Sequence, residues 1–346
     1  MMSITGRQLI LYRAGSILYL AQRVRNVPGS LRDMIIRQVR ESETRRKNAM
    51  ISANSCCLCP RMCGADRRKE TGYCGCGRRV KVARAALHFW EEPCISGSRG
   101  SGTVFFSGCP LGCVYCQNHE ISRGCKGKEI SVERLAEVFL ELQEAGAHNI
   151  NLVTATPYVH EVCRALDTAR AAMHIPVVYN CGGYERVETI RALDGYVDVY
   201  LPDIKYMNAE LGGRYSGTRD YFEAASAAVT EMIAQTDGLL FDDEGLIQRG
   251  VIARHLVLPG AKNDSIEILR WMSDHLPKEK YKLSLMSQYT PPPGLEKFPE
   301  INRRVTSLEY DAVVREAVRL GITDGYMQQR SSASAAFTPP FDMTGV

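Results

Sequence analysis

Residues 108–122 read GCPLGCVYCQNHEIS and carry Cys109, Cys113 and Cys116 at C-x3-C-x2-C spacing. Thiolate sulfur is a soft ligand that favours iron–sulfur clusters or zinc. Gaps of three and two residues let one short loop wrap a corner of a metal–sulfide cube. A cube tethered at three corners leaves one metal open to a small molecule, as catalytic zinc keeps a position open for water. A closed zinc site needs a fourth ligand, and His119 and Cys125 stand near enough in sequence to offer one.

The surrounding elements must hold that loop. Thr103–Phe106 reads as a buried strand running straight into it. Ser131 reads as an N-cap, followed at helical spacing by Leu135, Val138, Phe139 and Leu142, with Gly146 closing the helix. Further strands are expected at Ile150–Thr154, Pro176–Asn180, Val197–Leu201, Gly250–Leu258 and Lys282–Met286. Helices are expected at His160–Arg170, Tyr184–Leu193, Phe222–Ile233, Ile266–Leu276 and Leu308–Leu320. Strict alternation of apolar strands and helices implies an α/β fold with a parallel sheet covered on both faces. Open and barrel-like sheets both place chemistry at the carboxyl ends of their strands. Thr154 and Thr156, Asn180, Asp203 and Lys205, and Ser287, Gln288 and Tyr289 fall at such ends, while Arg254 lies inside an apolar strand.

Composition bounds the rest. The 346 residues are 45% hydrophobic with net charge +4, enough for a large core and too weakly basic to argue for nucleic acid. Thirteen cysteines, clustered at short gaps, suit metal ligation better than disulfides and point to a reducing, cytoplasmic compartment. Leu9–Ala21 is apolar, but Arg13 interrupts it and it is too short to span a bilayer, so no membrane role is expected. The expected layout is a helical or disordered extension (1–50), a cysteine-rich module (51–98), a core domain (99–300) and a C-terminal extension (301–346).

GCPLGCVYCQN resembles the signature loop of the radical S-adenosylmethionine (SAM) enzymes. EEPCISGSRGSGTVFFSGCPLGCVYCQNHEIS, NINLVTATPYV, PVVYNCGGYERVETIRALDGYVDVYLPDIKYMN and RHLVLPGAKNDS resemble the branch around pyruvate formate-lyase-activating enzyme, and in particular homologues with an N-terminal cysteine module. The resemblance implies a partial (β/α)6 barrel in which Cys109, Cys113 and Cys116 hold a 4Fe-4S cluster and SAM chelates the open iron. It implies an oxidoreductase that cleaves SAM reductively and abstracts a hydrogen atom, and it admits activation of a glycyl-radical protein. Tyr115 would pack near the adenine, Asp203 and Lys205 match the family's Asp-x-Lys, and Arg254 would meet the SAM carboxylate. Two departures stand out. Thr154-Ala155-Thr156-Pro157 replaces a Gly-Gly-Glu stretch that receives the SAM amino group, and Asn180-Cys181 replaces an Asp-Thr pair associated with a cation.

The segment NSCCLCPRMCGADRRKETGYCGCG offers a second donor set, Cys56, Cys59, Cys63 and Cys74, with Cys57 and Cys76 spare. Zinc there would make a structural knuckle, and a second iron–sulfur cluster, the favoured reading, would relay electrons. Arg61, Arg67, Arg68, Lys69, Arg78 and Arg79 read as a solvated face, or as a dock for an acidic flavodoxin or ferredoxin. The competing reading is a zinc-binding interaction module on a catalytically inert α/β scaffold.

Overall fold

The computed structural model describes residues 55–328 and 338–346. The extension 1–50 and its apolar stretch Leu9–Ala21 lie outside the described residues. In chain order the elements are β1 (Val80–His88), α1 (Pro93–Ser96), β2 (Ser101–Phe106), α2 (His119–Ser122), β3 (Lys128–Ile130), α3 (Val132–Glu144), β4 (Ile150–Val153), α4 (Val159–Ala169), β5 (Val177–Cys181), α5 (Val187–Ala192), β6 (Val199–Pro202), α6 (Ala209–Ser216), α7 (Tyr221–Thr236), β7 (Leu240–Phe241), β8 (Ile247–Leu256), α8 (Lys262–His275), β9 (Lys282–Met286), α9 (Ser307–Arg319) and β10 (Gly325–Met327).

Every residue of β2, β4, β5 and β6 is buried, which explains their unbroken apolar runs: both faces are covered. The sheet order is β10-β9-β8-β6-β5-β4-β2-β1-β3, and from β2 to β10 every neighbouring pair is parallel. A doubly wound sheet reverses its strand order in the middle. Here the order simply follows the chain, so successive crossovers wind one way and the sheet curls as a barrel does. Among the described residues no pairing joins β10 to β3, so the barrel is partial.

The helix that follows the cysteine loop shows how sequence fixes position. Ser131 accepts a hydrogen bond from the Arg134 N–H, satisfying one orphan donor of the first turn of α3. Leu135, Val138, Phe139 and Leu142 then fall on one face and are buried against the sheet. Each contributes roughly 1.5–3 kcal/mol by burial.

The expected strands and helices are present with shifted ends, except that α5 begins only at Val187 and leaves Tyr184, Glu185 and Arg186 in a loop. Four strands were not foreseen: β1, β3, β7, which pairs antiparallel with β8, and β10. Residues 80–98, expected within the cysteine module, form β1 and α1 of the main fold, and β1 pairs antiparallel with β2 and β3. Strand β10 extends the parallel sheet beyond β9. The chain terminus returns to β1, where Ala85 donates its N–H to Thr344 O at 2.9 Å and Met343 donates to Ala83 O at 2.9 Å. Among the described residues no helix is long and apolar enough to cross a membrane.

Candidate functional site

A cavity of about 230 Å³ opens at the carboxyl ends of the strands. Cys113, Tyr115 and Cys116 from the loop after β2 line it, with Asn180, Asp203, Lys205 and Arg254 from the ends of β5, β6 and β8. Thus the side chains that sequence put at separate strand ends converge on one space.

The loop is held from outside as well as by its own turn. Gly108 and Gly112 have φ of 86° and 63°, the left-handed region that glycine enters freely. At Gly108 a Cβ would stand 2.7 Å from Cys74 O, and at Gly112 it would run into the Arg123 guanidinium. The three sulfurs each receive a donor: the Leu111 N–H to Cys109 at 3.4 Å, the Ser216 hydroxyl to Cys113 at 2.9 Å, and the Ser122 hydroxyl to Cys116 at 3.5 Å. Burial, with the charges of Cys113 and Cys116, pushes the Cys109 thiol up to about 12, and burial with Cys113 also raises Cys116. Bare thiolates so placed are unfavourable together, and a bound cationic centre is what such a set lacks. Among the described residues no three Cys, His or acidic side chains converge around a single ion. A lone zinc at ~2.3 Å from each sulfur would need that convergence. A cube asks for less, because each thiolate bonds a different iron. The three-cysteine loop therefore fits a cluster better than a mononuclear ion.

Opposite the loop lies a buried charge network. Arg254 spends its guanidinium on three protein groups: Nε on Asp203 Oδ1 at 2.9 Å, Nη1 on Glu91 Oε2 at 3.2 Å and Nη2 on Asn180 Oδ1 at 2.6 Å. Lys205 Nζ donates to Asp203 Oδ2 at 2.6 Å. Asn151 and Asn180 both donate to Glu91 Oε1, at 3.1 and 3.2 Å. Burial alone would raise Asp203, but Lys205 and Arg254 outweigh it and hold the carboxyl below its ordinary value. Burial raises Glu91, with Arg254 opposing. The expected partner of Arg254 was the SAM carboxylate. Here its acids come from the protein, so Arg254 ties Glu91, Asn180 and Asp203 into one floor. Lys205 shares its ammonium with Asp203 and lines the cavity, so it is the cation best placed to meet an anionic ligand.

Glu91 is the site residue that sequence reasoning passed over. It stands in the EEPC stretch, far from Arg254 in sequence, and strand periodicity says nothing about which residue will plug a barrel. The signal available was a pair of acids directly before the proline that starts α1.

The two threonines after β4 go elsewhere. Neither lines the cavity. Thr154 has φ of 60° and donates its N–H to Asn180 O at 2.8 Å. Thr156 is buried and donates its hydroxyl to Glu185 Oε1 at 2.6 Å, while Tyr179 donates to Glu185 Oε2 at 3.3 Å. Cys181 is buried too, and burial with the nearby Glu185 charge pushes it well up. Burial also pushes Glu185 up to about 8, against its hydrogen bonds from Thr156, Tyr179 and Cys181. A carboxyl ordinarily near 4.5 that titrates near 8 when folded costs stability as pH rises between those values, because the unfolded chain has already released the proton. Glu185→Gln keeps the shape without the charge. The variant should match the parent at pH 4.5 and exceed it by on the order of 4 kcal/mol at pH 8 and above in chemical denaturation. A constant difference across that range would contradict the assignment.

The cysteine module packs directly on this assembly. Arg61 donates to Pro110 O of the loop at 3.0 Å and to Gly217 O and Ser216 O beyond α6 at 2.7 and 3.0 Å. Arg67 donates to Gly77 O at 2.5 Å and to Pro157 O. Arg186 and Thr189 of the barrel donate to Cys57 O and Leu58 O, each at 2.7 Å. Arg61 and Arg67 are therefore staples and not part of a solvated face, whereas Arg68, Lys69, Arg78 and Arg79 are exposed. The four predicted ligands lie near one another, without the convergence that a single ion would need among the described residues. A Cβ on Gly72 would stand 3.3 Å from Cys63 Sγ and 3.6 Å from Cys74 Sγ. Cys56 feels the charges of Cys63 and Cys74, and Cys59 those of Cys74 and Cys56. A hydrogen bond from the Cys76 thiol, helped by the Arg67 charge, lowers Cys74 to about 6 in spite of burial.

A family model described as the Radical SAM superfamily matches residues 103–271. An uncharacterized protein of Methanocaldococcus jannaschii is 31% identical over 279 residues, covering 78% of this chain and 75% of the relative. Similar solved structures include Streptococcus suis SuiB bound to the precursor peptide SuiA, at 9% identity over 64% of this chain and 46% of that one, with TM-score 0.43. Methylornithine synthase (PylB) is similar at 17% identity over 61% of this chain and 59% of that one, with TM-score 0.39. This chain spans about half the length of these two solved structures. The matched region opens in β2, takes in the cysteine loop, and closes in α8 beyond Arg254. The chain belongs to the radical SAM superfamily, whose members bind a 4Fe-4S cluster and SAM.

Proposed function

We propose that this radical SAM enzyme generates a 5′-deoxyadenosyl radical in the cavity and directs it at a protein, oxidising a backbone glycine as a glycyl-radical activase does. The observation that carries the reading is the loop itself: Cys109, Cys113 and Cys116 on one turn, with Cys113 and Cys116 lining a cavity that Lys205 and Arg254 also line. When bound, the cluster supplies one electron that breaks the sulfonium carbon–sulfur bond of SAM, giving methionine and the radical that takes the substrate hydrogen. Cys109, Cys113 and Cys116 would hold the cluster. Tyr115, buried among Tyr206, Tyr215 and Tyr289, would wall the nucleoside from water. Lys205 would meet the amino-acid end of SAM. An inert zinc-binding scaffold is not favoured, given the family match and this arrangement.

The second donor set, Cys56, Cys59, Cys63 and Cys74, would hold another iron–sulfur cluster that passes electrons inward. Its contact with the loop at Gly108 supports this, as do exposed Arg68, Lys69, Arg78 and Arg79 beside the exposed Cys63, a surface suited to an acidic flavodoxin or ferredoxin. Cys59→Ala should lower the iron content by one cluster while leaving part of the SAM cleavage driven by a small chemical reductant. Loss of all bound iron in that variant would contradict two independent sites. For the substrate, the protein is co-expressed with candidate glycyl-radical proteins and the partner is examined by electron paramagnetic resonance. A glycine-centred doublet that requires SAM supports the activase reading. SAM cleavage without that doublet on any candidate would redirect the search to other peptides and small molecules.

A further inference from the structure

The Cys113 sulfur is the end point of a chain of hydroxyls. Ser216 Oγ lies 2.9 Å from Cys113 Sγ and donates to it. Tyr206 lies 2.9 Å from Ser216 through its hydroxyl, and the Tyr115 hydroxyl lies 2.5 Å from that of Tyr206. All four side chains are wholly or largely shielded from solvent. A metal-bound thiolate can only accept, and each hydroxyl carries one proton. An arrangement in which Tyr115 donates to Tyr206, Tyr206 to Ser216, and Ser216 to the sulfur satisfies every group. Phenols and a serine hydroxyl keep their protons at neutral pH, so all three donors are in place.

The end of α6 is fixed so that Ser216 stays there. Gly217 takes the left-handed cap conformation at φ 62° and closes the helix onto the carbonyls of Gly212 and Gly213. Val114, next to Cys113, donates its N–H to Tyr215 O at 2.8 Å. Arg61 bridges Pro110 O of the loop to Ser216 O and Gly217 O.

We propose that Ser216, polarised by Tyr206 and Tyr115, acts through Cys113 to set the reduction potential of the SAM-binding cluster. A hydrogen bond to a ligating sulfur withdraws charge from it and makes the cluster easier to reduce. Donors in series strengthen one another, so the two tyrosines add to the effect of the serine. The inference rests on the cluster being held by Cys113, and its test is a measurement on the cluster itself.

The midpoint potential is measured in holoprotein by redox titration followed by electron paramagnetic resonance, with iron content determined alongside. Ser216→Ala should bind a full cluster whose midpoint is shifted to more negative potential. Tyr206→Phe, which leaves Ser216 in place, should shift it the same way by less, and Tyr115→Phe by less again. An unchanged midpoint in a fully loaded Ser216→Ala protein would overturn the proposal. Should Ser216→Ala fail to load, Tyr206→Phe decides: a negative shift supports the relay and an unchanged midpoint overturns it. A parent protein that binds no iron at Cys109, Cys113 and Cys116 would overturn the cofactor assignment instead, a result told apart by the iron content.

Discussion

Cys113→Ala abolishes SAM cleavage and removes the visible absorption due to the SAM-binding cluster, while the protein remains folded. The side chain is small, half-buried and at the cavity wall, so its loss opens little space in the core. The sheet and helices that hold the loop do not depend on it: β2 is buried along its whole length, and the loop is tied to Tyr215 O through Val114 and to Arg61 through Pro110. What is lost is one of three tethers on the cluster. Far-ultraviolet circular dichroism and the melting transition should match the parent, and iron content should fall by one cluster if the second set is loaded. Residual 5′-deoxyadenosine at more than a trace would contradict the ligand assignment.

Arg254→Met produces the largest loss of stability. The side chain is enclosed, and its guanidinium answers Asp203, Glu91 and Asn180 at once. Methionine fills similar space but leaves two buried carboxylates short of a counter-charge. Breaking one side of such a pair costs about 3–5 kcal/mol. The pH dependence identifies the cause. In the parent, Asp203 is held below its ordinary value, so its contribution is present above the unfolded carboxyl value and is lost as pH falls through the depressed folded one. Without Arg254 the folded values of Asp203 and Glu91 rise. The deficit is then greatest at neutral pH and shrinks on acidification, as the stranded carboxyls take up protons. Urea denaturation of the cluster-free protein across that range measures it. A deficit that does not change with pH would assign the loss to packing.

The fold was legible where one stretch of sequence decides the outcome. The cap at Ser131 and the apolar spacing of Leu135, Val138, Phe139 and Leu142 fixed α3, and the unbroken apolar runs fixed the parallel strands. The cysteine loop was legible because its spacing is itself the chemistry. Pairings that topology decides were hidden. The polar residues at strand ends pointed to a site, but not to Glu91 as the acid that Arg254 would meet, because it enters from beneath the barrel. Ser216 looked like any residue of an unremarked segment until α6 brought it against Cys113. Thr156 sat at the expected strand end yet turned to Glu185, a carboxylate in a stretch expected to be helical that forms a loop. Arg61 and Arg67 read as surface charges because composition does not reveal which carbonyls a guanidinium will find.

The account depends most on the metal that the three cysteines leave open. Electron–nuclear double resonance of the reduced protein, with nitrogen-labelled SAM added, tests it most directly. The account predicts a coupling between the cluster and the labelled amino nitrogen, lost in Cys113→Ala. A cluster that shows no such coupling, because a protein side chain already holds its fourth iron, would contradict it.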